Sequence, residues 1–134
     1  MAGYRKACVV LAGNEEDFCP SLSKILKIND IHVLRADSSV ELSRIVKIST
    51  VDLILFSLDF VTENTSVFLT DLRRSSKYRL KIILVGNFSL TAMKYSLSAG
   101  FDDFAALPIG EEEVIALIQS SNDQNDTKSK YLTN

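Results

Sequence analysis

The stretch KIILVGNFSLTAMKYSLSAGFDDFAALPIGEEEVIALI, Lys81 to Ile118, runs twice through one pattern: a short apolar run, then a segment with apolar residues three and four apart. Lys81 to Val85 is almost unbroken Ile, Leu and Val, as a strand covered on both faces should be. A helix is expected from about Leu90 to Ser98, closed by Ala99-Gly100, where glycine takes the left-handed turn that other residues resist. Asp103 to Ala106 (DFAA) supplies the next strand. After Gly110, the carboxylates of Glu111, Glu112 and Glu113 suit the positive start of a helix that carries Val114, Ile115, Leu117 and Ile118 inward.

The same alternation extends upstream. Strands are expected at Ala7 to Ala12, His32 to Ala36 and Leu53 to Leu58. A first helix carries Phe18, Leu22, Ile25 and Leu26, with Pro20 in its first turn and Asn29-Asp30 as its stop. A second runs from about Val40 to Lys47, capped by Asp37, Ser38 or Ser39, with Val40, Ile45, Val46 and Ile48 facing the sheet. A third, about Ser66 to Ser75, buries Val67, Phe68, Leu69 and Leu72 and ends in Arg73-Arg74. Five βα units in this length imply an α/β protein, a flavodoxin-like three-layer α/β/α sandwich with a five-stranded parallel sheet of order 2-1-3-4-5 and five helices. The expected domain covers 5–119, and the polar 120–134 reads as a disordered tail. Function in such sheets sits at the carboxyl ends of the strands.

Composition narrows the rest. With 134 residues, 46% hydrophobic and 24% charged, one domain has enough apolar surface for a core. A net charge of −2 gives no global field for nucleic acid or an anionic membrane, and the basic run Arg73, Arg74, Lys77, Arg79 and Lys81 reads as a solvated face. Cys8 and Cys19 make neither a disulfide framework nor a zinc site. Met1 to Lys6 has no signal-like apolar run, and no stretch reaches the roughly 18 apolar residues of a membrane span, so a cytoplasmic protein is expected. His32, the one histidine, lies on an edge strand and reads as structural.

Two motifs carry a resemblance to a known family. Ser98 to Pro108, SAGFDDFAALP, resembles the Ala-Gly-Ala, aromatic, Lys-Pro pattern of response-regulator receiver domains, and Asp52 to Leu58, DLILFSL, resembles their third strand. The resemblance implies a site whose polar positions are substituted. The family's two metal-holding acids correspond to Gly13 and Asn14, its phosphoacceptor Asp to Ser57, its hydroxyl residue after strand four to Gly86, and its phosphate-binding Lys to Leu107. Phe104 matches the switching aromatic, and Leu107-Pro108 a place where the family often has a cis peptide.

Phosphoryl transfer to a carboxylate is driven by positioning and by cations that neutralise charge, so the expected module is a degenerate pseudo-receiver and not an enzyme, with no cofactor and no metal. It is expected to act as a stand-alone module in two-component-type signalling through protein partners, a homodimer through the helix 4-strand 5-helix 5 face included. Met93, Tyr95, Phe101 and Ile109 are the candidate interaction residues on that face, to be tested as partly exposed, with burial in the core the open alternative, above all for Phe101 and Ile109. Two alternatives stay open within the crevice. Glu15, Glu16, Asp17 and Asp59 form a displaced acidic set, against the plainer reading of helix-dipole partners and a turn residue. Gly13-Asn14, Ser57 and Gly86-Asn87 form a small-molecule or enzymatic crevice, although no phosphate-loop fingerprint is present.

Overall fold

The computed structural model describes residues 6–14, 18, 20–77 and 79–120. Five parallel strands, β1 (Cys8–Ala12), β2 (His32–Ala36), β3 (Leu53–Ser57), β4 (Lys81–Gly86) and β5 (Asp103–Ala106), stand in the order β2-β1-β3-β4-β5. The connecting helices are α1 (Pro20–Ile28), α2 (Ser39–Ile48), α3 (Thr65–Ser75), α4 (Leu90–Ala99) and α5 (111–120), and a 3-10 turn, Leu58–Phe60, follows β3 directly. The sheet order and helix number are those expected from the sequence.

The central strands β1 and β3 are buried along their whole length, because each is covered on both faces. Alternate side chains feed two cores. Val10, Ile54, Phe56, Ile82 and Leu84 pack with Leu42, Leu69 and Ala99 beneath α2, α3 and α4. Val9, Leu11, Leu53, Leu55 and Ile83 pack with Phe18, Leu22, Val114 and Ile118 beneath α1 and α5. The edge strand β5 is only half-covered.

Helix ends follow local chemistry. Ser38 and Ser89 accept from the backbone N–H of Glu41 and Ala92, removing an orphan donor from the first turns of α2 and α4. Gly100 closes α4 at φ 107, and that turn sends Phe101 back into the core, where its ring lies 5.3 Å from Phe56. Arg73 is no surface cation: it donates to the carbonyls of Leu80 (2.8 Å) and Gly100 (2.7 Å) and meets Asp102 at 3.2 Å. Asp102 in turn accepts from the Ile82 N–H at 2.7 Å, so one ion pair ties α3 and β4 to the turn that leads into β5.

Three expected core residues lie outside. Val40, Ile48 and Val67 are exposed, each two positions from a buried residue (Leu42, Val46 and Leu69), and two residues turn a helix by about 200°. The acids 15–17, Cys19 and the expected tail from 121 onward lie outside the described residues.

Candidate functional site

The sheet brings the expected crevice positions to one edge. Ser57 ends β3 opposite Val85, and Gly86 ends β4 opposite Ala106. Gly13 follows β1 at φ 149, is buried, and its N–H donates to the Ala36 carbonyl at 3.0 Å; Asn14 beside it is exposed. Ser57 is 3% exposed, and its hydroxyl accepts from the Asp59 N–H at 3.1 Å, stapling the 3-10 turn to the strand end. Asp59 itself is exposed on that turn. Leu107 donates its N–H to the Gly86 carbonyl at 2.9 Å, and its half-buried side chain packs on the α1–α5 core ahead of a cis Leu107–Pro108 peptide.

Leu58 fills the space above Gly86. A β-carbon added to Gly86 would lie 2.8 Å from the Leu58 Cβ and 3.0 Å from its Cδ2, inside van der Waals contact. A divalent cation in this place would find one amide, Asn14, and one hydroxyl, Ser57, among the described side chains at the named positions. These two groups alone do not make the carboxylate-rich oxygen set that Mg²⁺ takes; the carboxylate nearest in the chain among the described residues is Asp59, exposed on the adjoining turn.

The open space lies to one side. A cavity of about 410 Å³ sits between the starts of α2 and α3, lined by Phe56, Phe60 and Phe68 and by Ser38, Ser39 and Thr65. None of Gly13, Asn14, Ser57, Gly86 or Leu107 lines it.

The expected interaction face is rearranged. Phe101 (5% exposed) and Ile109 (2%) are core residues and offer nothing to a partner. Tyr95 is half-buried against Phe101, and Phe104 is half-buried on β5. Met93 is exposed, and it is joined by Phe88, Leu90 and Leu97, which the sequence reading did not assign to a surface. The missed signal is the inverted amphipathicity of α4: its sheet-facing positions are the small Ala92, Ser96 and Ala99, whereas Leu90, Met93 and Leu97, three and seven residues apart, form an outer stripe. Ser96 satisfies its buried hydroxyl by donating to the Met93 carbonyl at 2.7 Å.

The fold is that of response-regulator receiver domains. A two-component response regulator from Clostridium difficile superposes with TM-score 0.72 at 16% identity over 88% of this chain and 97% of its own. A CheY-like receiver domain protein from Methanospirillum hungatei JF-1 gives 0.72 at 19% identity over 92% and 99%. A structure described as adenylate cyclase from Rhodopirellula baltica gives 0.69 at 18% over 96% and 98%. No protein-family model matches the sequence, and no curated protein matches it either. No helix among the described residues is long and apolar enough to cross a membrane.

Proposed function

We propose that this chain is a pseudo-receiver: a protein-binding module of two-component-type signalling that works without an aspartyl phosphate. The observation that carries the reading is the state of the β3 end. Ser57 stands there buried, its hydroxyl engaged by the backbone of the following turn, with Leu58 closing the space over Gly86. An unactivated hydroxyl is a weak nucleophile, and Leu107 brings no cation to a transferring phosphoryl group. With Leu58 closing the space over Gly86, the outer stripe of α4 is the surface proposed to act: Leu90, Met93 and Leu97 on the helix and Phe88 just before it are large apolar residues exposed to solvent, which suits a protein interface. The partner buries Phe88, Leu90, Met93 and Leu97.

Incubation with acetyl phosphate and Mg²⁺, followed by intact-mass spectrometry, tests the first half. An unchanged mass is expected, and a stable phosphoryl adduct on the chain overturns the reading. Sedimentation of the wild type beside Leu97→Asp tests whether a second copy covers α4. A dimer abolished by the substitution identifies the partner as self; a wild-type monomer directs the face to a different protein.

A further inference from the structure

α2 and α3 lie on the same side of the sheet as α4 and contact each other, with surface hollows along their junction. At the strand ends lies the aromatic-lined cavity of about 410 Å³. Further along α2 a shallow, open hollow of about 480 Å³, lined by Val40, Ser43, Arg44 and Lys47, adjoins the first and shares Ser39 and Phe68 with it; together they make a shallow trough. Exposed Val40 on α2 and Val67 on α3 extend the apolar surface. Beyond it, Lys47 and Lys77 line a third, smaller depression.

The trough is polarised along its length. Asp59 borders the aromatic end, which disfavours an anion there. Arg44 and Lys47 occupy the other end. Arg44 approaches Glu41 only at 3.9 Å, with its side chain 70% exposed, and Lys47 has no ion-pair partner among the described residues.

We propose that this trough docks a helical segment of a second protein bearing one bulky apolar side chain, seated on the half-buried Phe60 and Phe68, and carboxylates over Arg44 and Lys47. The spacing follows from α2 itself. Ser39 precedes Arg44 by five residues (44 − 39) and Lys47 by eight (47 − 39), which is about 7 to 12 Å of helix axis. A helix lying along α2 therefore sets its acids about five to eight positions from its anchor. A second copy of this chain is a poor occupant: its own exposed apolar helix, α4, has Lys94 as its single charged residue and would bring like charge to Arg44 and Lys47. This docking face is separate from the α4 stripe, with α3 between them, and it goes beyond the function proposed above by giving the module room for two partners at once.

The test uses the full chain, ¹⁵N-labelled, titrated with a hydrocarbon-stapled helical peptide carrying one Trp with Glu seven and eight residues after it. A twin peptide with Lys in place of each Glu is the comparison. Saturable shifts of the Ser39, Ser43, Lys47 and Phe68 amides are expected with the acidic peptide, and binding about tenfold or more weaker with the basic one. The exposed double variant Arg44→Glu, Lys47→Glu should invert that preference, and Leu97→Asp should leave it unchanged. Equal binding of both peptides, shifts confined to α4, or no shift at the four amides overturns the proposal. The Leu97→Asp control keeps failure of the α4 reading distinguishable from failure of this one.

Discussion

The crevice at the strand ends and the outer face of α4 solve opposite problems with the same residue types. In the crevice, small residues stand where the fold leaves room for chemistry, and a leucine fills the room: Gly86 yields its space to Leu58, and Ser57 spends its hydroxyl on a turn. On α4, small residues stand where the helix meets the sheet, and the large ones are pushed outward. Apolar volume is thus placed to close the first region and to open the second. A side chain's burial here follows from which way its small neighbours let the backbone approach, and hydrophobicity alone does not fix it.

The contrast breaks first in the core. Phe56→Ala removes the ring that Phe60, Phe68 and Phe101 pack around, and should cost about 3–5 kcal/mol in urea unfolding. Gly86→Ala should cost about 1–3 kcal/mol through the Leu58 contact. Because the nearest atom is the Leu58 Cβ, Leu58→Ala should recover little of that in the double variant, whereas Leu58→Gly should recover most of the clash. Asp102→Ala, which strips acceptors from the Ile82 N–H and Arg73, should cost about 1–2 kcal/mol by thermal melting. Leu97→Ala, the same kind of truncation on the open face, should stay within about 0.5 kcal/mol. A large loss at Leu97 would mean that α4 is covered in solution and that the contrast is drawn wrongly.

Much of the fold was legible because strand and helix carry different periods, and the stops are chemically distinct. Gly100 adopts the left-handed turn expected of it, and Ser38 proves to be the cap among the three candidates before α2. The crevice positions were legible as neighbours, since topology alone brings β1, β3 and β4 ends together. Phase within the short helices was less so. Val40, Ile48 and Val67 read as core because they are apolar, yet a helix of ten or eleven residues buries only one stripe. Phe101 and Ile109 stood open between interaction face and core, and the core alternative holds: both lie at turns whose inward direction is set by backbone geometry that composition does not encode. The α2–α3 trough was invisible for the same reason, as Phe56, Phe60 and Phe68 come from a strand, a turn and a helix.

The Gly86–Leu58 contact also constrains how this chain can change. Any side chain at position 86 meets the β-carbon that every residue except glycine has at 58. A single substitution toward a hydroxyl at 86 therefore arrives in a background that penalises it. The compensating glycine at 58 removes a half-buried leucine from the core beneath α2, α3 and α4 before anything is gained. The two positions are therefore coupled: a side chain at 86 and a β-carbon at 58 crowd each other, so the pair changes in either direction only through a less stable intermediate.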